Sequence, residues 1–306
     1  MLRLLGGELF NLVKTFFSIT DESIGMKHFR YTNDDYFSAD DSIKPIGKTL
    51  PIVADGIYAQ WVTSENSDPD KRILYLHGGG YAIGSIRGYL SLTSHLAKAT
   101  NCSVLVIDYS LAPENKFPDA LNEALYSIDW LIQNDIEINN ISLCGDSAGA
   151  HLAASVTNTL ANENRENVHS QFLIYPMCDP NCDSESVELF KEDYLLTKNA
   201  MEWFWDKFRN SLADNDVNTF NLLLLDPEKK IPKTIIVTAG FDPLSDEAEE
   251  YAFKLHENDK VAYKQFGNAV NVDVVHFVMS RVLKLSHKKI RRGRGRGRGG
   301  GGGGGG

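Results

Sequence analysis

Apolar residues in this chain form short continuous runs, separated by stretches in which they recur every three or four positions. Arg72-Ile73-Leu74-Tyr75-Leu76, Cys102 to Asp108, Ile141 to Cys144, Ser170 to Tyr175 and Lys233 to Ala239 are compact β-type runs, of the kind buried on both faces in a parallel sheet. The intervening spacing predicts helices over about 89–99, through Ala120, Leu121, Ala124, Leu125, Ile128 and Leu131, through His151 to Val156, and over about 245–258. Pro118 suits the first turn of the second of these. A strand over Val261 to Phe266 and a helix over about 277–286 close the series. Short β-α units in succession imply an α/β fold, a mostly parallel central sheet flanked by helices.

Three regions depart from this alternation. Pro51 to Val62 alternates in the manner of a strand near the sheet edge, and Ser64 to Lys71 reads as a polar turn around Asp-Pro-Asp. Between about 176 and 226 the β-α rhythm stops. That stretch is acidic and aromatic, with Met201-Glu202-Trp203-Phe204-Trp205 and Phe208, and it predicts a helical cap whose aromatics serve as core or line a pocket. The expected organisation is N-terminal cap helices over 1–45, an α/β domain over 46–290 with the cap insertion at about 176–226, and a low-complexity tail over 291–306. Arg292 to Arg298 alternates Arg and Gly and runs into eight glycines, a composition that cannot pack and is expected to be disordered.

Composition narrows the class. The chain has 306 residues, 42% of them hydrophobic, enough for one large core, and no internal repeat. Its formal charge is -10 although Lys288 to Arg298 holds seven basic residues and no acid, so the body is more acidic still and offers no footprint for nucleic acid. Arg-Gly segments can bind RNA, a property that would belong to the tail alone. Met1 to Phe10 is apolar but broken by Glu8 and followed by Lys14, which reads as an amphipathic helix rather than a signal peptide. No uncharged apolar run reaches the ~20 residues of a membrane span, and the expected location is cytoplasmic. Cys102, Cys144, Cys178 and Cys182 fit an intracellular protein, and the lone C-x-x-x-C spacing of the last two predicts no metal site.

The chemistry gathers at the ends of the β-type runs. Ile141 to Cys144 leads into Gly145-Asp146-Ser147-Ala148-Gly149, a G-x-S-x-G turn between strand and helix that exposes a serine hydroxyl at a helix N-terminus, where the dipole favours developing negative charge. The run ending at Leu76 delivers His77-Gly78-Gly79-Gly80-Tyr81, whose unshielded backbone N–H groups can approach a substrate oxygen. The spacing is not that of a phosphate loop, G-x-x-x-x-G-K-[ST]. Directly after Lys233 to Ala239 stands Gly240-Phe241-Asp242-Pro243-Leu244, a carboxylate positioned to orient an imidazole; the competing Asp226-Pro227 lacks a preceding strand. His276 precedes a helix at the chain position the base must occupy, giving the order Ser, acid, His.

With these pieces placed, the chain resembles the hormone-sensitive-lipase-like branch of the α/β-hydrolases, marked by His-Gly-Gly-Gly and Gly-Asp-Ser-Ala-Gly. The resemblance runs from about 73 to 266 and includes Asp108-Tyr109-Ser110-Leu111-Ala112-Pro113-Glu114, Asp193-Tyr194-Leu195-Leu196-Thr197 and Gly240-Phe241-Asp242-Pro243-Leu244. It implies an α/β-hydrolase fold with a helical cap, Ser147 as nucleophile, Asp242 as acid and His276 as base. It further implies an oxyanion hole from the N–H groups of Gly79, Gly80 and Ala148, with His77, Gly78 and Asp146 as supporting motif residues. The implied activity is a metal-free, cofactor-free serine carboxylesterase acting on short- to medium-chain acyl esters, with a small-molecule ester as partner and a homodimer left open. One departure favours an alternative, a ligand-binding protein of this fold with impaired catalysis. Where the family has a Gly-Met-x-His-Gly-Phe type of motif, this chain runs from Gly267-Asn268-Ala269-Val270 through five further residues to His276-Phe277-Val278, with no glycine after the histidine.

Overall fold

The computed structural model describes Met26, residues 30–31, residues 45–256 and the backbone of residues 261–266. Its strands are β1 (Lys48–Ala54), β2 (Ile57–Thr63), β3 (Asp68–Leu76), β4 (Cys102–Ile107), β5 (Ile141–Asp146), β6 (Ser170–Ile174), β7 (Lys233–Ala239) and β8 (Val261–Phe266). The helices are α1 (Ile86–Thr100), α2 (Asp119–Gln133), α3 (Ala148–Asn162), α4 (Glu185–Leu189), α5 (Lys198–Phe208) and α6 (Ser245–His256). The strands form one sheet in the order β1-β2-β4-β3-β5-β6-β7-β8. Both pairings of β2 are antiparallel and every pairing from β4 to β8 is parallel, as expected for the α/β-hydrolase fold.

Alternation along the central strands sorts their side chains onto two helix-covered faces. Leu74, Leu76, Leu105, Ile107, Leu143, Leu173 and Ile236 pack with residues of α2, α3 and α6. Ile73, Tyr75, Val104, Val106, Cys144, Phe172, Ile174 and Val237 pack with Ile86, Leu96 and Ala97 of α1. Burial on both faces is why these strands read as continuous apolar runs.

Two expectations are corrected at the edge of the sheet. Pro51 to Val62 is two strands, not one: Asp55 and Gly56 adopt φ of 50° and 87° and turn β1 back onto β2, so that Ala54 pairs with Ile57. Residues 68–71, expected within a polar turn, open β3, with Asp68 paired to Cys102 and a register shift before Arg72. β1 is exposed along most of its length because it is the edge strand, whereas β2 buries Ile57, Ala59 and Val62, and residues 68–71 keep polar side chains because they lie at the outer end of β3.

Residues 176–226 carry α4, α5 and short 3-10 turns at Leu212–Asp216 and Leu222–Leu224. The aromatics of α5 divide by face. Trp205 and Phe208 are buried in the main core, whereas Trp203 and Phe204 pack with Met26, Ala82 and Ile83. The expected helices over 1–45 and 277–286 and the tail over 291–306 lie outside the described residues, apart from Met26, Arg30 and Tyr31.

Strand order fixes where a ligand meets the sheet. The chain passes from β3 out to β4 and then returns to β5 on the other side of β3, so the direction of winding reverses between β3 and β5. In open α/β sheets the crevice for ligands lies at the carboxyl ends of the strands at such a reversal. Here α3 approaches β3 so closely that a Cβ on Gly149 would overlap the Leu76 and His77 carbonyl oxygens. Gly149→Ala is therefore expected to lower stability by roughly 1–3 kcal/mol, read from the midpoint of urea unfolding; an unchanged midpoint would mean that helix and strand separate freely.

Candidate active site

Ser147 stands between β5 and α3 with φ 53° and ψ -120°, outside the helical and extended regions open to an L-residue. Its N–H donates to the Ile174 carbonyl at the end of β6 (2.8 Å), and its own carbonyl accepts from His151 N–H at 3.0 Å. The turn is thus pinned to the sheet on one side and to the helix on the other. A strained non-glycine residue of this kind costs on the order of 1–3 kcal/mol and persists only where its surroundings over-determine it. The side chain is half-buried at the start of α3, whose first-turn N–H groups have no intrahelical acceptor.

The loop after β3 lies across the reversal point. Gly79, Gly80 and Tyr81 take φ of 121°, 58° and 62°, a run of positive angles that explains the consecutive glycines. The Gly79 carbonyl accepts from the N–H groups of Ala82 and Ile83, both at 3.0 Å, closing the loop on itself. Tyr81, the one side chain in the run, is held by stacking on Phe208 (3.6 Å between centroids) and by donating its hydroxyl to His151 Nδ1 at 2.5 Å. The Phe204 ring covers Gly80 so closely that a Cβ there would collide with it.

Two buried histidines border this loop, and neither is free to act as a base. His77 Nδ1–H donates to the Gly78 carbonyl at 2.8 Å, and the ring stacks on Tyr109, whose hydroxyl donates to the His77 carbonyl at 2.6 Å. His151 Nε2–H donates to the Phe220 carbonyl at 2.8 Å, which leaves Nδ1 to accept from Tyr81. Burial lowers both imidazoles to a pKa of about 4, against the opposing pull of those carbonyls, so both are neutral. His276 lies outside the described residues.

Asp242 follows β7, two strands from Ser147, at the same carboxyl edge of the sheet. Its Oδ1 accepts from Leu244 N–H at 3.0 Å, and burial raises its pKa to about 6 against the pull of that hydrogen bond. Asp226, by contrast, is an exposed turn residue accepting from Glu228 N–H. The structure therefore brings Ser147, Asp242 and the Gly78-Gly79-Gly80 loop to one edge and leaves Asp226 apart.

Several residues around the site carry no signal in the sequence. Arg30 donates to the Ala82 carbonyl (2.7 Å), the Ala112 carbonyl (2.7 Å) and both oxygens of Glu114 (3.0 and 2.7 Å), tying an N-terminal residue to two loops beside the site. Glu247 is buried in α6 and accepts from Cys178 N–H at 2.7 Å, while Ser186 donates to the Pro243 carbonyl at 2.7 Å. These contacts fasten residues 178–186 to the Asp242 loop. Burial drives the Glu247 carboxyl well above the usual range, and the neighbouring Asp179 and Asp242 push it the same way.

A doubly wound sheet with a strained serine at a strand-to-helix turn, beside a glycine loop at the winding reversal, has the form of an α/β-hydrolase. The alpha/beta hydrolase fold family matches residues 73–271, and the chain belongs to that family. An ethyl acetate hydrolase of Pseudomonas putida is 33% identical over 190 residues, 60% of each chain. An arylesterase of Saccharolobus solfataricus is 30% identical over 191 residues, 61% of this chain and 62% of its own. The chain thus spans about 60% of the length of these relatives. A crystal structure of an esterase from the bacterial hormone-sensitive lipase family superposes with a TM-score of 0.79 at 20% identity, over 94% of this chain and 98% of that one. The family read from the motifs is borne out.

The raised pKa of Asp242 has a consequence for stability. The folded chain binds this proton more tightly than the unfolded chain, whose aspartates titrate near 3.9, so the contribution is fully present below about pH 4 and is lost as the pH rises through about 6. Asp242→Asn keeps the shape and removes the charge. It is expected to be more stable than the parent above pH 7, by roughly 1–3 kcal/mol, and close to it at pH 4, measured by urea unfolding at the two pH values. A loss of stability at pH 7.5 would contradict the burial argument.

Proposed function

We propose that this chain is a serine carboxylesterase acting on short- to medium-chain acyl esters. The observation that carries the reading is the backbone of Ser147, a non-glycine residue held at φ 53° and ψ -120° at the head of α3. Strain concentrates at functional sites, and here it serves to lift one hydroxyl clear of the sheet at the winding reversal. The esterase and hydrolase names of the relatives agree with it.

In this reading His276 removes the Ser147 proton as Oγ attacks the ester carbonyl carbon. The carbonyl oxygen takes the negative charge among the N–H groups of Gly79, Gly80 and Ala148, with the α3 dipole adding to them. His276 then passes its proton to the departing alcohol, leaving an acyl-serine, and activates a water that releases the acid and restores Ser147. Asp242 fixes the imidazole tautomer and offsets its positive charge. With a pKa of about 6 it is ionised for that task only above mildly acidic pH. Residues 176–226 serve as the cap, with Phe204 over Gly80 and Trp203 packed beside it against Ala82 and Ile83 as the lining that limits the substrate. No helix among the described residues is long and apolar enough to cross a membrane, and the reading places the enzyme in the cytoplasm on small esters.

Hydrolysis of p-nitrophenyl butyrate by the parent, Ser147→Ala, Asp242→Asn and His276→Ala tests these roles. Ser147→Ala and His276→Ala are expected to lose roughly 10³-fold or more in kcat, and Asp242→Asn roughly 10²–10⁴-fold, with little change in KM. Parent activity no higher than that of Ser147→Ala would overturn the esterase reading in favour of ligand binding, which the altered sequence around His276 favours.

A further inference from the structure

Asp146, the residue before Ser147, is only 6% exposed, yet its carboxylate collects three hydrogen bonds from three different elements. Oδ1 accepts from the Tyr75 hydroxyl on β3 (2.8 Å) and from Gly78 N–H (3.0 Å), and Oδ2 accepts from the Tyr89 hydroxyl on α1 (3.0 Å). The approach to the loop is close enough that a Cβ on Gly78 would run into the carboxylate. One side chain therefore joins the serine turn to the glycine loop, immediately before Gly79.

Among the described residues, the groups facing this carboxylate are Tyr75, Tyr89, Tyr109, Tyr175 and Cys144, with His77 close by against the rings of Tyr89 and Tyr109. All are neutral at pH 6: burial raises the tyrosines and the thiol well above their usual ranges and lowers His77 to about 4. The charge on Asp146 thus rests on its hydrogen-bond donors. Burial lifts its pKa to about 6, and the Tyr75 and Tyr89 hydroxyls and the Gly78 N–H oppose that rise. A protonated carboxyl is a weaker acceptor and must itself donate, so protonation loosens the tie to Gly78.

We propose that Tyr75 and Tyr89 are positioning residues for ester hydrolysis: by holding Asp146 as a carboxylate they keep Gly78 N–H, and with it the Gly79-Gly80 loop, in the arrangement that receives the oxyanion. The catalytic part of this inference rests on the esterase reading. The contact it depends on, between Asp146 and Gly78, is testable without turnover.

Tyr89→Phe removes one hydroxyl and keeps the ring. Losing a donor to the ionised form raises the Asp146 pKa, so the acidic limb of kcat is expected to move to higher pH. At pH 6 kcat falls about tenfold, the worth of one hydrogen bond to a charged group. KM stays within about twofold and the deficit fades by pH 8, since a loop that fails only in the transition state lowers kcat alone. Tyr75→Phe is expected to act in the same direction. In an Asp146→Asn background, which has no proton to bind, adding Tyr89→Phe should leave the pH profile in place.

Amide exchange of the Gly78 peptide, taken as protection relative to intrinsic rates in Ser147→Ala protein, should fall between pH 8 and pH 5 and do so at higher pH when Tyr89→Phe is added. Parallel loss of kcat and KM, a deficit independent of pH, or Gly78 protection that ignores Tyr89→Phe would each overturn the proposal. If the parent shows no hydrolysis at all, the esterase reading fails, while the exchange result still decides whether the Asp146 contact governs the loop.

Discussion

The site depends on one close approach: the first turn of α3 lies against the carbonyl oxygens of Leu76 and His77 through Gly149, with no room for a side chain. That contact sets the distance between β3 and α3, and so between the glycine loop after one and Ser147 at the head of the other. Because β3 and β5 are neighbours at the winding reversal, the two motifs stand side by side although the chain between them runs out through β4 and back. Gly145 is subject to the same limit, since a Cβ there would meet the Gly149 backbone. Both glycines of the G-x-S-x-G pattern are therefore required by packing, independently of the strain at the serine between them.

Burial sets the electrostatics around that contact. Tyr75, Tyr81, Tyr109, His77 and His151 are buried around the site, and the carboxylate of Asp146 among them is held by hydrogen bonds. His77 and His151 stay neutral and act as fixed donors to carbonyls, one inside the glycine loop and one behind it. Asp146 and Asp242, both with pKa raised to about 6, occupy the edge of the same pH range from different sides of Ser147. Burial pushes the Glu247 carboxyl upward close to Asp242. Mildly acidic pH therefore removes charge from both aspartates around the serine.

Much of this arrangement was legible in the sequence because parallel strands buried on both faces announce themselves. β5 and β7 end at the motifs expected of them, and β4, β6 and β8 fall where their apolar runs lie. The β1–β2 hairpin was read as one strand because the Asp55-Gly56 turn interrupts an alternation that continues on both sides. The first residues of β3 were missed because Asp68, Pro69, Asp70 and Lys71 carry turn chemistry at the outer end of an otherwise central strand. The Asp146 network had no signal: Tyr75 and Tyr89 sit in ordinary strand and helix patterns, and nothing in sequence spacing shows that their hydroxyls meet one carboxylate 71 and 57 residues away. Trp205 and Phe208 as core, with Trp203 and Phe204 on the other face, could be separated only once the rotation of α5 was known. His276 lies outside the described residues, and its assignment rests on chain order and resemblance.

The account turns on Ser147 being the one activated hydroxyl. Intact-mass measurement after treatment with a fluorophosphonate, followed by peptide mapping, tests this most directly. The account predicts a single phosphonyl adduct on the peptide containing Ser147, and none in Ser147→Ala. An adduct on another residue, or equal labelling of parent and Ser147→Ala, would contradict it.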